Sequence, residues 1–164
     1  MFEDTIKSIS RNPGIRNETI KGGIYINTLK LFEAYVDQYT TITSPQDAVK
    51  VAKEKIGNLD RECFIVIHLN TKNMVIAVEV VSIGILNSSL VHPREVFKAA
   101  IINSSYSIIL AHNHPSKNCS PSTEDKEITS RLIEVGKLIG IPVLDHLIIG
   151  SDDKYVSFKE RGLI

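Results

Sequence analysis

Short apolar runs alternate along this chain with stretches that begin at a capping residue or a proline. The runs are rich in β-branched residues, as buried strands are, and they occupy residues 63–69, 74–82, 107–111, 143–149 and 155–158. The stretches between them predict helices at residues 45–56, 94–103 and 123–139. Because strands and helices are interleaved, the pattern predicts an α/β sandwich with one sheet covered by helices.

Residues typical of helix ends support these boundaries. Ser44 is a favourable N-cap, Pro45 suits the first helical position, and Asp47 places a carboxylate in the first turn. Gly57 is predicted to end this helix in the left-handed conformation, and Gly140 is predicted to close the last one.

Composition limits the classes of function that fit the chain. Its 164 residues, 43% of them hydrophobic, are enough for a domain with a full core. The 19 basic and 19 acidic residues cancel, so net charge gives no support to a nucleic-acid partner. No apolar run reaches the roughly 20 residues of a membrane span, and no secretory signal is visible at the start. Cys63 and Cys119 predict no disulfide. We therefore expect a cytoplasmic protein without a membrane partner.

The strongest chemical signal is a pair of histidines at the end of the third apolar run. His112 and His114 are two residues apart, so in an extended segment their side chains point the same way. Asp125 follows eleven residues later, in the first turn of the predicted third helix. Two imidazoles and a carboxylate are ligands that zinc prefers, and a catalytic site leaves the fourth position open. The spacing therefore predicts a zinc centre at His112, His114 and Asp125.

A structural interpretation competes with this one for part of the motif. Ser122 and Asp125 also match the capping box of a helix start, in which the serine and the carboxylate bond each other's backbone N–H. The two roles are compatible, because capping leaves the carboxylate at the strand end. Other metal-enzyme motifs, H-E-x-x-H and the deaminase H-x-E with P-C-x-x-C, are absent from the sequence.

The full string resembles a known metalloprotease motif. His112-Asn113-His114-Pro115, six residues, Ser122, two residues and Asp125 match the JAMM motif, and residues 88–100 and 145–150 resemble the bacterial RadC family. The resemblance runs from about residue 44 to the C-terminus. We therefore predict a RadC-like JAB/MPN domain at residues 41–164, preceded by a segment at 1–40 with a helix at 25–38. Residues 117–119 depart from the family pattern, a change that we expect to touch no metal ligand.

The resemblance implies a fold and an activity. The fold would be a single α-β-α sandwich of the JAB/MPN type, a mixed central sheet flanked by helices and related to cytidine deaminase. The activity would be zinc-dependent hydrolysis of a peptide or isopeptide bond in a peptide or protein substrate. The family's DNA-repair label leaves a DNA-associated accessory role as the alternative, and a non-catalytic interaction module is a third. The oligomeric state is not predicted.

The resemblance also assigns catalytic residues. The family uses a glutamate on or before the first core strand as general base, and Glu62 matches by position. Glu79 remains a rival, since a carboxylate inside an apolar strand should have a raised pKa unless a cation pairs with it. Ser122 would stabilise the oxyanion of the tetrahedral intermediate.

Four further residues near the motif have predicted roles. His92 is expected to be structural at a helix start, and His146 to pack within a strand. Asp145 is either structural or an orienting partner of a metal-bound histidine. Cys119 is interpreted as an exposed loop thiol in preference to an additional metal ligand.

Overall fold

The computed structural model describes residues 40–57, 59–84, 91–151 and 154–164, and this part of the chain forms three helices and five strands. In chain order they are α1 Pro45–Ile56, β1 Cys63–Leu69, β2 Val75–Ile83, α2 Pro93–Ile102, β3 Ser107–Asn113, α3 Thr123–Ile139, β4 Val143–Ile149 and β5 Tyr155–Ser157. None of these helices is both long and apolar enough to cross a membrane. The predicted helix at 25–38 lies outside the described residues.

The five strands form one mixed sheet in the order β2-β1-β3-β4-β5. β1 pairs antiparallel with both β2 and β3, and β4 pairs antiparallel with β5. The pair β3 and β4 is parallel, and α3 is the crossover between them. β3 is therefore a central strand, and both of its neighbours run along it up to the histidine pair.

Helices cover both faces of the sheet, and each face has its own apolar core. α1 packs against one face through residues such as Val51 and Ile56, which meet Ile65 and Ile67 of β1. α2 and α3 cover the other face, where Leu132 packs with Leu110 among others. The predicted α-β-α sandwich with a mixed central sheet is confirmed.

The helix ends follow their sequence signals with one exception. Ser44 and Asp47 form a complete capping box at the start of α1, and bonds from Thr43 and Ser44 lower the pKa of Asp47 to about 2. Gly140 ends α3 in the left-handed conformation, at φ 76°. The prediction for Gly57 is wrong, because this residue keeps a right-handed φ of −62°. Space explains the glycine there, since an added Cβ would lie 2.7 Å from the carbonyl oxygen of Lys53.

His68 is a fully buried histidine in the middle of the sheet. Its Nδ1 lies 2.9 Å from Ser105 Oγ, and its Nε2 lies 3.8 Å from Glu79 Oε2 without a hydrogen-bond partner. Burial lowers the pKa of His68 from 6.5 to about 4, because charging the ring there would strip it of water. The folded protein therefore holds His68 neutral at physiological pH.

Replacing His68 with leucine is expected to make the protein less sensitive to acid. The pKa is lower in the folded than in the unfolded state, so the contribution is complete above about pH 6.5 and is lost as the pH falls toward 4. Over that window wild type should lose about 3 kcal/mol through this group, and leucine removes the loss. Urea unfolding of both metal-free proteins at a series of pH values measures it. Parallel pH profiles would contradict the expectation.

Candidate metal centre

Three side chains that the sequence singled out meet where β3 ends. His112 Nε2 lies 2.9 Å from His114 Nε2 and 3.2 Å from Asp125 Oδ1, and His114 Nε2 lies 3.4 Å from Asp125 Oδ2. His112 projects from β3, His114 is the first residue after that strand, and Asp125 lies in the first turn of α3. The side chains of His112 and Asp125 are almost fully buried, whereas His114 is 15% exposed. The cluster thus opens toward solvent on the His114 side.

The spacing of these atoms fits a tetrahedral metal ion. Ligands held about 2.0–2.2 Å from such an ion are separated from one another by roughly 3.3 Å. The three distances of 2.9, 3.2 and 3.4 Å lie within a few tenths of an ångström of that value. Two imidazole nitrogens and a carboxylate can therefore occupy three corners around one ion without large movement.

Glu62 places a second carboxylate beside the same two nitrogens. Its Oε1 lies 3.9 Å from His114 Nε2, and ligand atoms of Glu62, His112 and His114 all lie within 4.8 Å of one another. Glu62 directly precedes β1, and the pairing of Phe64 with His112 brings the two strand ends together. Because Asp125 approaches both nitrogens more closely, it is the better third ligand, and Glu62 stands next to the remaining position.

Glu79, the rival to Glu62, lies elsewhere. It is on β2, opposite Val66, and its Oε2 lies 3.8 Å from His68 Nε2. Burial raises the pKa of Glu79, as its apolar strand suggested, while Lys98 acts in the opposite direction. This glutamate belongs to the pair with His68 and is not one of the groups gathered around His112.

Asn113 anchors the segment that carries Glu62. Its side chain points to the face opposite the two histidines, as the alternation along a strand predicted. Its Oδ1 accepts the backbone N–H of Cys63 at 2.8 Å, and its Nδ2 donates to the carbonyls of Arg61 and Leu59 at 2.9 and 3.4 Å. These bonds bracket Glu62, so the residue between the histidines ties the base candidate to β3. No local pattern indicated this role, beyond the presence of a polar residue in a strand.

The capping box and the metal cluster share Asp125. Ser122 Oγ accepts the N–H of Asp125 at 3.0 Å, and Asp125 Oδ2 accepts the N–H of Ser122 at 2.8 Å, which confirms the predicted box. Burial raises the pKa of Asp125, but the neighbouring imidazoles of His112 and His114 outweigh it and hold the pKa well below its usual range. Asp125 in turn raises the pKa of His114. The carboxylate is therefore ionised and available as a ligand.

Behind His112 stands His146, for which the sequence predicted only packing. Its Nε2 lies 2.8 Å from His112 Nδ1, and its Nδ1 lies 2.5 Å from Thr129 Oγ1 of α3. Burial lowers the pKa of His146 well below its ordinary value. Asp145 is not the orienting partner, since its carboxylate instead binds Ser157 Oγ at 2.6 Å and other groups on the far side of β4. His146 and Thr129 are thus contacts of the centre that the local motif did not reveal.

The loop at 115–121 contacts the centre as well. The carbonyl oxygen of Asn118 lies 2.6 Å from His114 Nδ1, so the unusual stretch at 117–119 contacts a predicted ligand, although it replaces none of them. Cys119 is half-buried and packs against Ile148, Val156 and Phe158, so its interpretation as an exposed thiol is wrong. Its sulfur occupies the place where a Cβ on Gly150 would lie, which pins the loop to the end of β4.

His92 acts as predicted: it caps α2, and its Nδ1 accepts the N–H of Arg94.

Two cavities differ in their position relative to Glu62. A surface depression of about 250 Å³ is lined by Arg61, Glu62, Gly84 and Pro115. A larger cavity of about 330 Å³ lies near α1 and contains none of the clustered histidines. Of these two cavities among the described residues, the smaller one borders Glu62.

Comparison with known proteins agrees with the motif. A family model described as a RadC-like JAB domain matches residues 42–163. The chain is 55% identical over 122 residues to a UPF0758 protein of Caldanaerobacter subterraneus, covering 74% of this chain and 52% of that protein. A UPF0758 protein of Desulforamulus reducens is 56% identical over 123 residues, with coverages of 75% and 54%. One from the archaeon Methanosarcina mazei is 52% identical, with 75% and 53%.

The chain spans about half the length of the curated relatives it matches, and the common region includes the whole described sheet with its histidine cluster. Fold, motif and family model agree over the same residues. The chain belongs to the RadC family and carries its JAB domain.

Proposed function

We propose that this protein is a zinc-dependent hydrolase that cleaves a peptide or isopeptide bond, with His112, His114 and Asp125 as the metal ligands. The proposal rests on one observation: three donor atoms of the types that zinc prefers lie 2.9–3.4 Å apart, as around a tetrahedral ion. Three protein ligands, with a further carboxylate beside the fourth position, are the pattern of a catalytic rather than a structural zinc site.

Each residue of the centre has a chemical task in this proposal. Bound zinc would supply Lewis acidity, which lowers the pKa of water and polarises the substrate carbonyl. Glu62 accepts a proton from the attacking water and delivers it to the leaving amine. The Ser122 oxygen already accepts the N–H of Asp125, but that bond does not use its hydroxyl proton. This proton can be donated to the oxyanion that develops on the carbonyl.

The substrate would be a peptide or protein that enters from the Glu62 side. Polar and apolar residues line the depression there, and Gly84 donates its N–H to the carbonyl of Glu62 at 2.8 Å, which holds the floor of the depression against the strand end. Neutral net charge gives no comparable support to the alternative of a DNA-associated role.

Metal content together with a cleavage assay tests the proposal. Protein purified without chelator is expected to hold about one equivalent of zinc by elemental analysis, and to cleave members of a library of peptides and lysine-linked isopeptides. Removal of the metal should abolish cleavage, and added zinc should restore it.

Failure of each part has a different meaning. A protein that takes up no zinc even after reconstitution would contradict the metal centre. A zinc-loaded protein that cleaves nothing in the library would instead favour a non-catalytic interaction module.

A further inference from the structure

We propose that Thr129 and His146 fix the tautomer of His112, so that the lone pair on its Nε2 faces the ligand site. Both act as positioning residues, since neither reaches the ligand atoms. The inference concerns the zinc centre of the proposed function and rests on it. It starts from a continuous row of hydrogen bonds that connects the backbone of α3 to His112 through the buried ring of His146.

The row begins at a group that can only accept. The carbonyl oxygen of Asp125 lies 2.5 Å from Thr129 Oγ1, and a carbonyl has no proton to give. The threonine hydroxyl must therefore donate its single proton to this carbonyl. Its oxygen can then only accept from the next neighbour, which is His146 Nδ1 at 2.5 Å. The backbone of α3 thus dictates that the proton of His146 is on Nδ1.

The position of the proton on His146 in turn determines the position of the proton on His112. The residue is fully buried, and a charged imidazole without a paired carboxylate is costly in such a place, so the ring carries one proton only. With that proton on Nδ1, Nε2 has a lone pair and accepts from His112 Nδ1 at 2.8 Å. His112 consequently carries its proton on Nδ1.

The third step reaches the ligand site. With its proton on Nδ1, His112 has a bare Nε2, the atom that lies 3.2 Å from Asp125 Oδ1 and 2.9 Å from His114 Nε2. His114 also carries a proton on Nδ1, because this nitrogen can only donate to the carbonyl of Asn118. The lone pair on His112 Nε2 is therefore directed inward before any ion arrives.

Loss of the Thr129 hydroxyl should remove the preference for these proton positions on His146 and His112. Without it, His146 can carry its proton on Nε2 and donate to His112 Nδ1. That arrangement moves the proton of His112 onto Nε2, where it blocks the ligand position. Partners that orient a metal-bound histidine typically change metal affinity by about 10- to 100-fold when they are replaced.

Two substitutions at position 129 test the inference by zinc affinity. Thr129→Val keeps the shape of the side chain but has no hydroxyl, and it is expected to weaken zinc binding at least about tenfold in competition with a chromophoric chelator. Thr129→Ser keeps the hydroxyl and should stay within about twofold of wild type. Ser105→Ala is the matched control, because it removes a hydroxyl from another buried histidine, His68, and should leave zinc affinity unchanged. Equal affinities of the valine and serine variants would overturn the proposal.

A second measurement needs neither zinc nor activity. In metal-free wild type with ¹⁵N-labelled histidine, His146 and His112 should each show a protonated Nδ1 and an unprotonated Nε2 by NMR. A proton on Nε2 of either ring would overturn the proposal even if the valine variant failed to fold. The two failures are distinguishable: these tautomers without zinc uptake would contradict the proposed function, whereas zinc uptake with the opposite tautomers would contradict this inference alone.

Discussion

Replacement of Asp125 with asparagine is expected to lower zinc affinity by at least about a hundredfold and to abolish hydrolysis. Binding free energies of structural zinc sites, about 10–16 kcal/mol over four ligands, correspond to roughly 3 kcal/mol for each. Asparagine keeps the size of the side chain and an oxygen that can accept the N–H of Ser122. It removes the charge that lies 3.2 and 3.4 Å from the two histidines. Zinc titration against a chelator measures the change.

Asp47→Asn is the matched control for this variant. Asp47 occupies the same position of a capping box at the start of α1, where it bonds Thr43 and Ser44 and no histidine. We expect this substitution to cost about 1 kcal/mol of stability as a weakened cap and to leave zinc affinity unchanged. If Asp125→Asn bound zinc as tightly as Asp47→Asn does, the carboxylate of Asp125 would be a cap alone.

Replacement of Glu62 with glutamine is expected to reduce the turnover rate by about 10²- to 10⁴-fold while zinc remains bound. Glutamine retains the shape of the side chain but cannot accept a proton from water at neutral pH. The carboxylate lies 3.9 Å from His114 Nε2, beyond the distance of the Asp125 oxygens from the same atom, so the metal ligands should be unaffected. Single-turnover cleavage by the zinc-loaded variant, with metal content measured on the same sample, separates the two effects.

Glu79→Gln provides the comparison, because it removes the other glutamate proposed as the base. Its carboxylate is beside His68 and away from the histidine cluster. The turnover rate of Glu79→Gln should therefore remain within a few-fold of wild type. A loss confined to Glu79→Gln, with Glu62→Gln fully active, would reverse the assignment that the geometry supports.

The elements of the fold could largely be predicted from local chemistry. Buried strands such as residues 63–69 consist of apolar β-branched residues, and helix starts carry capping residues, so both signals lie within a few neighbouring positions. The prediction that Gly57 takes a left-handed φ was wrong, because a glycine after a helix can also be required by close packing. That distinction depends on the Lys53 carbonyl in three dimensions, which no short pattern encodes.

The candidate site could be predicted only as far as its residues are close in sequence. His112, His114 and Asp125 lie within one strand–loop–helix unit, so their spacing alone suggested that they bind the same metal ion. Glu62 is fifty residues from His112 and needed the family resemblance, because strand register brings it into place. The bond from His146 to His112 depends on the parallel pairing of two strands, which carries no local signal in either.

The position of β3 in the sheet has a consequence for the order of folding. Along the chain, β3 follows its antiparallel neighbour β1 after the hairpin strand β2 and the helix α2, whereas its parallel neighbour β4 comes last, after the crossover through α3. Asp125 lies on that crossover helix, and His146, the partner of His112, lies on β4 directly after it. A chain in which only the hairpin of β1 and β2 with β3 has formed would present His112 and His114 without Asp125 and His146. Retention of the ion therefore requires the crossover through α3 to be in place, and an ion bound only there stabilises the completed domain against unfolding.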